Sequence, residues 1–163
     1  MAYPRSLPEE FKIVDATAGC VTTNGGVASD WVSLKHAHKA WVVLQFTQAV
    51  GHATQVALQQ AQDVGGTGAK ALARNAKAWA NEDTGASDAL VRQADGVSYT
   101  VAGDVKKKQV VFEVDPALLD MAGGFDCLGF TVANSAQASN LVAGQFFLLG
   151  RYQQAAPPSA VVD

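Results

Sequence analysis

Gly65-Gly66-Thr67-Gly68-Ala69-Lys70 is the stretch closest to a phosphate-binding loop. In such a loop backbone amides cradle phosphate, and a Gly-Lys-Ser/Thr ending supplies a cation and a magnesium-binding hydroxyl. Here Ala69 precedes the lysine and Ala71 follows it, so the hydroxyl is missing and a structural turn is expected. His36-Ala37-His38 puts two imidazoles on one side of an extended chain, half of a zinc site. No local third ligand accompanies them, and a polar loop is expected. Residues 81–88 (NEDTGASD) are acidic enough to suggest calcium. They lack the alternating oxygen ligands and closing bidentate glutamate of a calcium loop. A turn held by side-chain-to-backbone hydrogen bonds is the expectation. Cys20 and Cys127 match no metal-ligand spacing and are expected as reduced thiols, with a single long-range disulfide as the alternative. No serine or cysteine sits in a recognisable nucleophile turn. The residues thus point to no catalytic group, no cofactor and no metal, and the chain is not expected to be an enzyme.

Two further groups could make contacts rather than do chemistry. Lys106-Lys107-Lys108 is a basic cluster without interleaved aromatics, so it does not suit stacking on single-stranded nucleic acid. It reads as a solvated strand start or as a contact with an acidic patch on a partner subunit. Trp31, Trp41 and Trp79 could line a carbohydrate platform or an aromatic interface; Trp41 and Trp79 are expected as core or sheet-covering residues.

The whole chain frames these readings. Its 163 residues suffice for one domain with a hydrophobic core, and a 17% charged fraction is too low for a disordered polyelectrolyte. A net charge of −3 gives no basic footprint for nucleic acid. No run of about 18 apolar residues could span a membrane, and residues 1–11, with Pro4, Pro8, Glu9 and Glu10, do not read as a secretory signal. Alanine and valine dominate the apolar set, aspartate outnumbers glutamate, and there are 15 glycines. That balance favours turns over helix interiors and leans toward a β-rich domain.

Residues 40–48 (AWVVLQFTQ) alternate, with Val42, Leu44 and Phe46 on one face and Trp41, Val43, Gln45 and Thr47 on the other. One face should be fully buried and the other half-covered. Residues 54–62 alternate likewise, and the two runs are expected to form an antiparallel hairpin around Gly51. Residues 69–75 (AKALARN) are expected to make one or two helical turns. Residues 89–93 and 97–101 read as short strands joined by an Asp95-Gly96 hairpin turn. Residues 109–114 alternate; Asp115-Pro116 starts a brief helix that Gly123-Gly124 stops. Residues 125–133 and 144–152 are long apolar strands, and in the second Phe146 and Leu148 oppose Phe147 and Leu149, so both faces need cover. Short strands with turn signals every 8 to 12 residues predict an all-β sandwich or jelly-roll-like barrel with one or two short helical turns. Residues 1–30 are expected to be an extended arm with one short strand at 12–16, residues 31–152 the sandwich, and residues 153–163 an extended tail.

Several segments recur in this order in small structural proteins of tailed bacteriophages. They are Trp31-Val32-Ser33-Leu34-Lys35, AWVVLQFTQ, Val64-Gly65-Gly66-Thr67-Gly68, Lys70-Ala71-Leu72 and Trp79-Ala80-Asn81-Glu82-Asp83-Thr84. Val110-Val111-Phe112-Glu113-Val114-Asp115-Pro116, Gly123-Gly124-Phe125-Asp126 and Pro157-Pro158-Ser159-Ala160 continue the series. The chain resembles that group from about residue 10 to its end. The resemblance implies a virion protein, most plausibly a capsid decoration or cement protein. It would be made in the host cytoplasm, carried on the capsid surface and bound to the major capsid protein and to itself as a homotrimer, with no nucleic acid or membrane partner. Interface residues are expected among Tyr3, Leu7 and Phe11 of the arm, Lys106, Lys107 and Lys108, and Pro157 and Pro158 of the tail. A neck or tail protein, or a carbohydrate-binding sandwich using exposed tryptophan and calcium at residues 81–88, are the competing expectations.

Overall fold

The computed structural model describes residues 6–151. One helical turn, α1 (Leu7–Glu10), precedes thirteen strands. These are β1 (Phe11–Asp15), β2 (Val21–Thr22), β3 (Val27–Ala28), β4 (Val32–Ser33), β5 (Ala37–Thr47), β6 (Thr54–Ala61) and β7 (Lys70–Ala71). Then follow β8 (Lys77–Asn81), β9 (Val91–Arg92), β10 (Ser98–Val101), β11 (Lys107–Val114), β12 (Cys127–Val132) and β13 (Leu141–Gly150). The first sheet runs β1-β13-β5-β11-β8-β9, with β2 also on β13; the second runs β10-β6-β12-β3, with β4 on β12 and β7 on β6. Every pairing is antiparallel. The domain is therefore an all-β sandwich; its two sheets keep separate edges and do not close into a barrel.

Period-two alternation decides what meets in the middle. From the first sheet, Val42, Leu44 and Phe46 of β5, Val110, Phe112 and Val114 of β11, and Val142, Phe146 and Leu148 of β13 point inward and are buried. Val56 and Leu58 of β6 and Leu128, Phe130 and Val132 of β12 meet them from the second sheet. Phe130 and Phe146 touch across the gap with ring centroids 5.9 Å apart, tilted by 55°. Gly144 makes room for them: a Cβ there would lie 2.8 Å from Phe130 Cζ and 3.1 Å from Leu44 Cδ2.

Asp115-Pro116 behaves as expected, with Asp115 Oδ1 accepting the Ala117 N–H at 2.9 Å and a 3-10 turn over Pro116–Leu118. A second 3-10 turn, Met121–Gly123, ends at Gly124 with φ +82°. Other expectations fail in how strands are paired. β5 and β6 are not a hairpin, because β5 pairs β11 and β13 in one sheet while β6 pairs β10 and β12 in the other. Their connection turns a corner held by buried Asn140, whose amide donates to Gln48 Oε1 (2.8 Å) and the Val50 carbonyl (2.9 Å) and accepts the Val50 N–H (2.8 Å). β9 and β10 likewise lie in different sheets, and Gly96 bridges Ala76 instead of turning a hairpin.

Residues 69–75 form no helix. β7 adds to the fringe of the second sheet, with Leu72 buried and Gln60 Nε2 donating to the Ala71 carbonyl at 3.0 Å. Tertiary pairing here overrides helix propensity. The arm also needs correction, since residues 11–28 are stitched into both sheets. β1 lies on β13, β3 lies on β12, and Ala16 is buried between them. The lone-looking strand had an apolar neighbour, β13, far along the chain. The tail, residues 153–163, lies outside the described residues.

Gly144→Ala should cost about 1–3 kcal/mol, since the added methyl forces Phe130 or Leu44 off its rotamer. Urea unfolding checks this; an unchanged midpoint would show that the sheets are not locked at this point.

Candidate functional site on the outer face of the first sheet

The residues that alternate with the core line the outer face of the first sheet, and their register sorts them into rows. Phe11 stands beside Leu149 and then Lys39; the next row is Ile13, Phe147, Trp41, Glu113 and Lys77. Asp15, Gln145, Val43, Val111, Trp79 and Arg92 follow. Then come Ala143, Gln45, Gln109 and Asn81, and lastly Leu141, Thr47 and Lys107.

The first two rows make an apolar patch. Phe11, Trp41, Phe147 and Leu149 are half-buried and Ile13 is 39% exposed. Phe11 and Trp41 meet edge to face over β13, with centroids 5.5 Å apart. Charges border the patch. Lys39 Nζ donates to Glu113 Oε1 at 2.8 Å and lies 5.9 Å from the Trp41 ring; Lys77 reaches the same carboxylate at 3.4 Å. Lys39, more than Lys77, holds the Glu113 carboxyl below its ordinary range. The described chain enters the sheet at Phe11 and leaves it after Gly150, so both ends of the described chain adjoin this patch.

The last two rows form the floor of a polar cleft of about 400 Å³, lined by Gln45, Thr47 and Gln109 with Asn81, Thr84, Asp88 and Lys107. Its wall is the acidic turn after β8. Asn81 Nδ2 donates to the Ser87 carbonyl at 2.6 Å, and the Thr84 N–H donates to the Lys107 carbonyl at 3.0 Å. Lys108 also borders the cleft, but its side chain points inward and is 1% exposed. Its ammonium donates to Glu82 Oε2 at 2.8 Å and to Asp104 Oδ1. Tyr99 donates its hydroxyl to Glu82 Oε1 at 2.6 Å. Lys106 pairs with Asp83 (3.1 Å) and Asp104 (3.2 Å). Burial first and the Glu82 carboxylate second push the Tyr99 hydroxyl up; Lys108 holds Asp104 down and Lys106 holds Asp83 down.

The lysine cluster thus splits three ways: Lys107 is exposed at the cleft, Lys106 is occupied by two aspartates, and Lys108 is internal and cannot reach an acidic partner. Of the arm residues, Leu7 is half exposed on α1 and Phe11 belongs to the apolar patch. Tyr3, Pro157 and Pro158 lie outside the described residues. Trp41 and Trp79 sit on the outer face and not in the core; Arg92 covers Trp79 at 4.9 Å. Trp31 lies on the second sheet over Gly129, where a Cβ would come within 2.7 Å of its ring. Ile13, Phe147 and Leu149 were absent from the expected interface. For Phe147 and Leu149 the signal is the double apolar face of β13; Ile13, on β1, carries no such local signal.

The remaining motifs are self-satisfied. Asp63 Oδ1 accepts the Gly65 and Thr67 N–H groups (2.9 and 3.1 Å), so the chain's own carboxylate fills the glycine-rich turn. Lys70 pairs with Asp120 at 2.9 Å and lies 3.8 Å over the Phe125 ring. Among the described residues, no three histidine, cysteine, aspartate or glutamate side chains gather as a metal site. Burial, and then Asp126, push the Cys127 thiol up to about 12, leaving it protonated at neutral pH; Cys20 is exposed.

No protein-family model matches the sequence, and no curated protein is similar to it. Among solved structures, the chain is similar to the SPBc2 prophage-derived protein YomS, at 9% identity and a TM-score of 0.46. That likeness covers 85% of this chain and 93% of the other. A CBM4 structure is similar at 8% identity and a TM-score of 0.29, covering 88% of each chain. Superpositions at these scores imply nothing about activity or partners.

Two outcomes are expected from the ion pairs. Lys108→Met leaves two carboxylates that still reach water, whereas Glu82→Gln with Asp104→Asn strands a buried ammonium. The double variant should therefore lose several-fold more urea midpoint than Lys108→Met; equal losses would refute the asymmetry. Asp83 and Asp104 ionise below their ordinary 3.8, and Glu113 below its ordinary 4.5. Folded values lower than unfolded ones give stability that is present above the ordinary values and lost as pH falls through the folded ones. Thermal melting should therefore be insensitive to these groups near pH 7 and decline below 4.5.

Proposed function

We propose that this chain is a non-enzymatic structural protein of a tailed-phage virion, a head decoration protein that docks on the major capsid protein through the outer face of its first sheet. The observation that carries the reading is the contiguous outward patch of Phe11, Ile13, Trp41, Phe147 and Leu149. Aromatic and aliphatic side chains grouped this way, with paired charges at the border, have the composition of an interface centre with a polar rim. Trp41 is the natural anchor, because large rigid aromatics carry most of the energy in such contacts. The ordered resemblance of the sequence to small tailed-phage structural proteins supports the virion context.

A decoration protein stabilises a shell by binding the assembled lattice in preference to free subunits, so its contribution grows with occupancy. Copies arranged as a homotrimer on threefold positions would share contacts, and modest single patches then suffice. A neck or tail position in the same virion differs in copy number: hundreds of copies per particle mean the shell, and a single ring of copies means the neck or tail.

Ile13→Asp places a charge in the patch at a position already open to water, so folding should survive. The variant should melt like the parent yet lose at least about tenfold in affinity for undecorated shells, a cost of about 1.4 kcal/mol. Full occupancy by a folded Ile13→Asp variant would remove the patch from the docking surface.

A further inference from the structure

The polar cleft on the far rows of the same sheet face is not part of the docking patch, and its chemistry differs. Gln45 and Gln109 face each other in register across β5 and β11, and Thr47 and Lys107 face each other one step on. Among the described residues, the Gln45 and Gln109 amides, the Thr47 hydroxyl, the Lys107 ammonium and the Asp88 carboxylate have no hydrogen-bond partner. Beside this polar row, just outside the cleft, runs the apolar pair Val43 and Val111, with Trp79 beyond them under Arg92. Two residues of strand rise separate the rows by about 6.8 Å.

We propose that this cleft is a binding site for a neutral oligosaccharide. A pyranose ring has a C–H face and a hydroxyl edge, and the two rows present the matching surfaces side by side. Side-chain amides both donate and accept, as hydroxyls do, so a pair of facing glutamines can satisfy a sugar edge in either hydrogen-bond direction. Lys107 and Asp88 offset each other's charge at the rim, which suits a neutral ligand over an anionic one. The volume, about 400 Å³, lies toward the small end of ligand sites and fits a segment one or two rings long.

Other ligands fit less well. An extended peptide gains its affinity from an open strand edge, but β5 and β11 are interior strands whose backbone groups are spent on their neighbours. A nucleic acid would need several cations for its phosphates and a free aromatic face for its bases. Among its lining residues the cleft has one exposed lysine, and its one aromatic, Phe46, is buried. The floor is also pre-organised: β5 and β11 pair without a shift from Ala40↔Val114 to Thr47↔Lys107, and Lys108 with Glu82 and Asp104 anchors the wall. Little ordering cost then falls on binding.

The test is a glycan array probed with the intact protein, followed by an NMR titration of the labelled protein with the soluble neutral oligosaccharide retained best. Retention of neutral glycans is expected, with saturable shifts at the amides of Gln45, Gln109, Thr84 and Lys107. Gln45→Ala with Gln109→Ala should weaken binding at least about tenfold at an unchanged melting midpoint. Four results would overturn the proposal: no neutral glycan retained, retention of sialylated glycans alone, shifts that map elsewhere, or parental affinity in the folded double variant. Shell occupancy is read separately, so failure here leaves the docking patch standing.

Discussion

Two central strands of the first sheet, β5 and β13, carry large apolar side chains on both faces, and a two-layer sandwich can bury only one of them. Val42, Leu44, Phe46, Phe146 and Leu148 are taken by the second sheet. Trp41, Val43, Phe147 and Leu149 are left on the outside, where they shelter one another and draw in Phe11 and Ile13 from β1. Soluble monomers seldom keep such a contiguous surface without a use for it. The excess of apolar side chains over interior space therefore has a direction: it falls on one face of one sheet.

The ends of the sandwich are held by a different kind of interaction. Asn140 fixes the corner between β5 and β6, and Lys108 fixes the opening between the turn after β8 and the loop before β11. Both are buried polar side chains with every buried polar atom partnered among the described residues. Such groups add little net stability, because their desolvation offsets much of what their bonds contribute. What they do is choose one arrangement. With Lys108 inside and its carboxylates at the border, the turn wall has a single seat, and the outward side chains of the last two rows are displayed in fixed positions.

Much of this was legible in the residues, and the division between what was and was not has a physical basis. Alternation is local, so the strands β5, β6, β11 and β13 and the inward positions could be read directly, as could the cap at Asp115 and the stop at Gly124. Pairing is not local. Two alternating runs separated by a short link look the same whether they lie side by side or face each other across a core, and β5 and β6 took the second course because Asn140, some 90 residues on, bends the link. Lys108 looked like its neighbours because its two carboxylate partners come from outside its strand, Asp104 from the preceding loop and Glu82 from 26 positions away. Ile13 sat in a segment that resembled an arm until β13 gave it a place.

The outer face also explains how one small domain can present two unlike surfaces. Its rows change character along the strands, from aromatic and aliphatic at the β1 corner to amide, hydroxyl and charge beside the turn after β8. Because the strand ladders use the backbone groups of interior strands, recognition on this face falls to side chains alone. The first rows expose apolar side chains, and the last expose amides, a hydroxyl and charge. The two ends share no side chains, since Trp41 and Gln45 lie four residues apart on β5, a separation of about 13 Å. A sandwich packed at its core and pinned at its corners keeps that spacing constant.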